Sequence, residues 1–398
     1  MRHFAFENFQ TVRRLVFQKP GIRRFEISQG LHMAPASVSK YVDLLIKKEI
    51  VLETDTDRSR NVSLAMNPAW KTCLGVDVGA WKTRILRMDA RGAFSLLEEI
   101  PTPEDPLLLA PALKRHERGV DGVGLAITAV IDPQKLRVEL FANNRGWDGF
   151  ALSALGLRSR LSLLSSGHAA ATAEKSFGSL RDDRDAIHVN AGNGIQACVF
   201  IDGKAVAGAN HAAGELGHVF ASLEAGACSC GNVGCLENLA TVPMLLGRLK
   251  KRMQAGELRG TLARLCENDA AKIDPARVNE AWEAGDPQVH AEILRTADAI
   301  ASALSGLVNV LNPQAISLGG NLFAYFPRLT EAVRDSLLGK VLEPNARKLA
   351  IRLAAYPELG AAFGAALHAF ERFLRDEPGG EDPPRRPAKN RSKGGSPS

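Results

Sequence analysis

From Gly214 to Ala240 the chain reads GELGHVFASLEAGACSCGNVGCLENLA. Three of its six cysteines fall here, Cys228, Cys230 and Cys235, and His218 precedes them in the spacing H-x9-C-x-C-x4-C. Three thiolates and one imidazole make a closed four-donor set, which structural zinc prefers. Gly226, Gly231 and Gly234 let the backbone turn tightly around an ion. Four protein donors leave no position for water, so the expected ion is structural and not a Lewis acid.

A second chemistry is expected near the N-terminus. The stretch HMAPASVSKYVDLLIKKEIVLE places Pro35 in a first helical turn, with Val38, Val42 and Leu45 on one face. Pro35, Ala36, Ser37, Ser39 and Lys40 occupy the start of that helix, where small polar residues and a lysine can approach base edges and phosphates. A helix over Asn8–Gln18 ends at Pro20-Gly21, and Arg24–Gly30 reads as a second one. Ile50–Glu53 and Asn61–Leu64 read as two strands around a turn that carries Arg58 and Arg60, the shape of a wing. Residues 1–66 hold 11 lysines and arginines against 7 aspartates and glutamates, so much of the net charge of +6 sits here. This module is expected to bind double-stranded DNA; the alternative is a helical protein-interaction domain with a solvated basic face.

The bulk numbers are those of an ordinary globular chain. Its 398 residues allow two or three domains, and 45% hydrophobic with 24% charged residues is average. No apolar run is read as a membrane span; Ile300–Val310 is interrupted by Ser302, Ser305 and Gly306. The N-terminus lacks a signal-peptide layout, and cysteines gathered in a metal pattern fit a reducing cytoplasm, so a cytoplasmic protein is expected.

GELGH followed by CSCGNVGCLENLA is similar to the signature of the ROK family (repressors, open reading frames and kinases). The resemblance runs from about residue 70 to 375, and the residues before it resemble the winged-helix domain of the family's repressors. It implies a fold: an N-terminal winged helix, mostly α, followed by a two-lobed α/β actin-like ATPase (ribonuclease H-like) core. The expected boundaries are 1–66 for the winged helix, 72–185 plus 361–375 for a small lobe, 186–360 for a large lobe with the zinc site, and 376–398 for a disordered tail.

The resemblance also implies roles. Asn143, four residues before Trp147, and Glu215, His218 and Glu237 match positions that contact sugar hydroxyls in the family. Carboxylates and carboxamides suit such hydroxyls because they accept, or accept and donate, hydrogen bonds. Family kinases read Asp-x-Gly-Gly-Thr-Lys in their first phosphate loop; here Asp77, Gly79 and Lys82 remain, with Ala80 and Trp81 replacing glycine and threonine. In the second loop Gly192 and Gly194 survive, with Asn193 and Gln196 in place of threonine and glycine. Ser166 stands where the family's catalytic aspartate belongs, and a serine hydroxyl cannot act as that base near neutral pH. No catalytic residue is therefore assigned. The expected function is a sugar-sensing repressor, a homodimer or homotetramer on a pseudopalindromic operator. The alternatives are an ATP-dependent sugar kinase, or a core that has lost sugar binding and answers to a protein partner.

Overall fold

The computed structural model describes residues 2–54, 62–141, 144–209 and 212–376, with side chains from residue 7 onward. Arg58, Arg60, Asn143 and the tail from residue 377 lie outside the described residues. The chain divides into two compact units, Met1–Ala65 with Arg372–Ser398, and Met66–Glu371.

The first unit begins with α1 (Arg2–Gln18), followed by β1 (Ile22–Arg23), α2 (Arg24–Gly30), α3 (Pro35–Lys47), β2 (Val51–Glu53) and β3 (Ser63–Met66). The three strands form one sheet in the order β1-β3-β2. Phe9, Val12, Val16, Ile27, Val38 and Val42 are buried together with Leu45 and Leu64, so the apolar periodicity of α1 and α3 makes this unit's core. Pro35 opens α3 at a position whose missing N–H costs nothing. Arg24 ties three elements, reaching Asp43 on α3 at 2.7 Å and Glu53 on β2 at 3.1 Å. The two-residue strand β1 has no counterpart in the sequence reading, because so short a strand carries no period.

The second unit contains two five-stranded sheets of the same design. The first uses β4 (Cys73–Val78), β5 (Lys82–Met88), β6 (Phe94–Pro101), α4 (Ala110–His116), β7 (Gly122–Ile127), the separate hairpin β8 (Val130–Asp132) and β9 (Arg137–Leu140), then β10 (Arg160–Ser165) and α5 (Ser166–Ser176). Its order is β6-β5-β4-β7-β10, with β4, β7 and β10 parallel. The second uses β11 (Ala186–Ala191), β12 (Ile195–Ile201) and β13 (Lys204–Ala205). After them come α6 (Glu237–Ala240), α7 (Val242–Gln254), α8 (Thr261–Leu265), α9 (Pro275–Glu283) and α10 (Pro287–Leu311). The last described elements are β14 (Ala315–Gly319), α11 (Asn321–Tyr325), α12 (Leu329–Leu338), α13 (Glu343–Ala346), β15 (Ala350–Leu353) and α14 (Gly360–Asp376). The order β13-β12-β11-β14-β15 repeats the first sheet, three antiparallel strands followed by two parallel ones.

Close packing depends on glycine at two strand positions. A Cβ on Gly75 would sit 1.9 Å from the Ala362 carbonyl oxygen, and one on Gly124 would sit 1.9 Å from that of Ala365. Only a bare backbone lets α14 lie this close to β4 and β7. By length and composition α10 could cross a membrane, which the sequence reading did not anticipate. It is a core helix: Val289, Ile293, Ala297, Ile300, Leu304 and Val308 are buried in the cluster behind the second sheet. Helix α8 stops at Leu265, and Glu267 and Asn268 beyond it take positive φ of 53° and 61°.

Candidate functional site

The repeated sheets place two glycine turns opposite each other. Gly79 to Trp81 join β4 to β5, and Gly192 to Gly194 join β11 to β12; both turns line a cleft of about 500 Å³. The N-terminal turns of α7 and α11 supply further walls through Val242, Pro243 and Asn321.

The floor is made of charge. Asp77, at the end of β4, is 8% exposed, and its Oδ1 accepts the Ser166 hydroxyl at 3.0 Å. Burial raises the Asp77 pKa, with the Arg84 guanidinium and the Ser166 hydrogen bond opposing. Arg84 is buried between two carboxylates, Glu99 at 3.0 Å and Glu358 at 2.8 Å. Lys82 pairs with the same Glu99 at 2.5 Å. Sequence reasoning missed Arg84 and Glu358; for Arg84 the available signal was two arginines, at 84 and 87, inside the short strand TRILRM. Gln196 has a structural task, since its Oε1 accepts the Gly167 N–H at 3.0 Å and satisfies one orphan donor in the first turn of α5. Trp81 stands 71% exposed on its turn.

The His/Cys segment lies beside the second turn. The donor atoms of His218, Cys228, Cys230 and Cys235 all lie within 4.8 Å of one another, so the four can hold a metal ion. Cys228 Sγ is 3.8 Å from His218 Nδ1, and Cys230 Sγ is 3.7 Å from Cys235 Sγ. The Cys228 N–H donates to Asn232 O and the Gly231 N–H to Cys228 O, which closes a tight knuckle around the first two thiols. Gly231 and Gly234 take φ of +94° and +88°, where a side chain would be strained. Asn238 braces the knuckle by donating to the Ala225 and Ala227 carbonyls.

The residues expected to meet sugar are only partly brought together. Glu237 begins α6, and its Oε2 accepts the Ile195 N–H at 3.2 Å, just after the second glycine turn. The Glu215 pKa is raised by burial; His218 opposes this and the Glu237 carboxylate adds to it, so the three groups share one electrostatic neighbourhood. Trp147 is turned inward: it is fully buried, and its indole N–H donates to Pro103 O at 2.9 Å. In the first unit, Pro35, Ala36, Ser37 and Lys40 are exposed at the start of α3, while Ser39 is half-buried beneath Arg24.

Comparison with known proteins identifies the core. The ROK family profile matches residues 73–372. A xylose repressor of Caldicellulosiruptor bescii is 28% identical over 335 residues, covering 79% of this chain and 83% of the relative. The DNA-binding transcriptional dual regulator NagC of Escherichia coli is 25% identical over 337 residues, covering 79% and 80%. Among solved structures, a ROK family transcriptional regulator homologous to E. coli MLC superposes with a TM-score of 0.76 at 22% identity, covering 94% of this chain and 98% of the other. A ROK family glucokinase from Streptomyces griseus superposes with a TM-score of 0.68 at 23% identity, covering 75% and 99%. The two-lobed actin-like ATPase fold read from the sequence is thus the observed one, and the chain belongs to the ROK family.

Proposed function

We propose that this protein is a sugar-responsive DNA-binding transcriptional repressor. The observation that carries the reading is the joining of an exposed α3 N-terminus to a ROK core whose curated relatives include a xylose repressor and NagC. The winged helix, residues 1–66, reads the operator through Pro35, Ala36, Ser37, Ser39 and Lys40, with Arg58 and Arg60 on the wing. Two copies are needed to read the two halves of a pseudopalindrome, so the working form is a homodimer or homotetramer in the cytoplasm.

The core, with lobes over 72–185 plus 361–375 and 186–360, senses a sugar through Asn143, Glu215, His218 and Glu237. Ligand biases the balance between open and closed lobes only by binding one state more tightly. The Cys3His cluster holds zinc. Zinc–sulfur bonds of ~2.3 Å imply sulfur–sulfur edges of ~3.8 Å, close to the 3.7 Å between Cys230 Sγ and Cys235 Sγ. The ion's chemistry is structural: it fixes the knuckle that precedes Glu237.

Phosphoryl transfer has no base in this reading. Ser166 replaces the aspartate and donates to Asp77, so it consumes rather than supplies acceptor capacity. Asp77, Gly79, Gly192 and Gly194 persist as turn elements. The test is ATP consumption by the purified full chain with hexoses, pentoses and amino sugars. The proposal expects no turnover above background. Turnover that disappears in Gly192→Val would establish the kinase instead.

A further inference from the structure

The cleft between the two glycine turns retains a shape suited to a ligand, but its chemistry suits no highly charged one. Its cations are already committed: Lys82 to Glu99, and Arg84 to Glu99 and Glu358. The remaining cation, Lys250, pairs with no carboxylate among the described residues. A polyphosphate entering here would meet one uncommitted cation and the carboxylates Asp77 and Glu358, and would lose its hydration without repayment.

Four carboxamides stand among the charged groups of the lining. Asn190, Asn193 and Asn321 all line the cleft, all are half-buried, and none makes a side-chain hydrogen bond among the described residues. Each presents two donors and one acceptor on a flat group, the complement of neighbouring hydroxyls. Gln196 adds its NH2, its oxygen being engaged by Gly167. Two aromatic rings complete the lining, Trp81 at 71% exposure and the half-buried Tyr325. An exposed indole on a tight turn is otherwise a cost, and it becomes an asset as a flat face for an apolar ring surface.

The cleft also abuts the carboxylate group described above. Gly194 lines the cleft, and Glu237 Oε2 lies 3.0 Å from the point where a Gly194 Cβ would be. The Glu237 subsite and the Trp81 cleft are thus separated by one turn. We infer that the cleft is a second carbohydrate subsite, with Trp81 as its stacking platform and Asn190, Asn193 and Asn321 as hydroxyl partners. The sensor then takes an oligosaccharide, one unit near Glu237 and the next against Trp81. The inference rests on the sugar-sensor reading and goes beyond it by fixing ligand size and location.

Trp81 gives the experiment its signal. Trp147 and Trp282 are buried and Trp70 is half-buried, so ligand-dependent quenching and acrylamide protection report mainly on Trp81. The full zinc-loaded chain is titrated with xylose, xylobiose and xylotriose, and with N-acetylglucosamine and its β-1,4 dimer, by fluorescence and calorimetry. In one series the di- or trisaccharide is expected to bind roughly tenfold more tightly than its monosaccharide, the scale of one aromatic contact. Trp81→Ala should erase that advantage and leave monosaccharide affinity unchanged, while Trp81→Phe should keep most of it. Equal affinity across chain lengths overturns the inference, as does an advantage that survives Trp81→Ala. Either result, accompanied by a monosaccharide that alters DNA binding, leaves the sensor reading standing. Failure of every saccharide, short and long, overturns both.

Discussion

Glu174→Gln separates the structural account of the core from a mere list of contacts. Glu174 lies on α5, is 1% exposed, and gathers donors from the turn just after its helix and from a distant segment. Its Oε2 accepts the Ser179 N–H at 2.8 Å, the Ser179 hydroxyl at 2.7 Å and the Ala355 N–H at 3.0 Å; its Oε1 accepts the Tyr356 N–H at 2.8 Å. Glutamine has the same shape but one acceptor oxygen. The better rotamer keeps that oxygen on the three-donor side, so the new NH2 faces the Tyr356 N–H. One hydrogen bond to a charged acceptor is lost, worth about 1.5–3 kcal/mol, and two donors are left facing each other. The other three bonds weaken as the charge disappears. Against this, an amide is cheaper to bury than a carboxylate. The balance is a destabilisation of about 2–4 kcal/mol, a fall in Tm of roughly 4–8 °C for a unit of this size. Thermal unfolding followed by circular dichroism gives the shift, and hydrogen exchange at Ala355 and Tyr356 locates it. A Tm within about 1 °C of wild type, with unchanged protection at both amides, would refute the assigned network.

Three further outcomes are expected. Cys235→Ser should lower the metal content and unfold the knuckle at lower temperature, because metal binding and local folding are one equilibrium; retained metal and melting would show that the four donors do not act together. Lys40→Ala should weaken operator binding and reduce the slope of log affinity against log salt by about 0.9, one phosphate contact, whereas an unaltered slope removes Lys40 from the interface. His188 is fully buried, neither ring nitrogen is hydrogen-bonded among the described residues, and burial lowers its pKa to about 4, opposed by the Glu174 charge. Its folded value lies below the unfolded one of ~6.5, so unfolding takes up a proton between those values. Its contribution is then complete above about pH 6.5 and declines by on the order of 3 kcal/mol as pH falls towards 4. His188→Gln should flatten that acid limb relative to wild type, and parallel limbs would contradict the assignment.

What was legible in the sequence was what is local. The apolar face of α3 and its Pro35 start could be read because both lie within one helix. The grouping of His218, Cys228, Cys230 and Cys235 could be read because all four fall within a short span and glycines mark its turns. The edge strand β6 was not seen: its side chains are exposed or half-buried almost throughout, and only pairing with β5 makes it a strand. Long-range polar contacts were invisible for the same reason. Arg84 meets Glu358 across 274 positions and Glu174 meets Tyr356 across 182, and nothing in the local pattern of either partner announces the other. Ser166 could be marked as a replacement, but that it turns its hydroxyl onto Asp77 is a fact of packing.

The central claim is that sugar occupancy of the ROK core governs DNA binding by the winged helix. The most direct measurement is fluorescence anisotropy of labelled DNA from the region upstream of the protein's own gene, titrated with the full chain at fixed salt, with and without each saccharide and without ATP. The account predicts sequence-specific binding that one saccharide class shifts by roughly tenfold or more, corresponding to at least ~1.4 kcal/mol of coupling. DNA affinity that no saccharide alters, or that changes only when ATP is supplied and consumed, would contradict it.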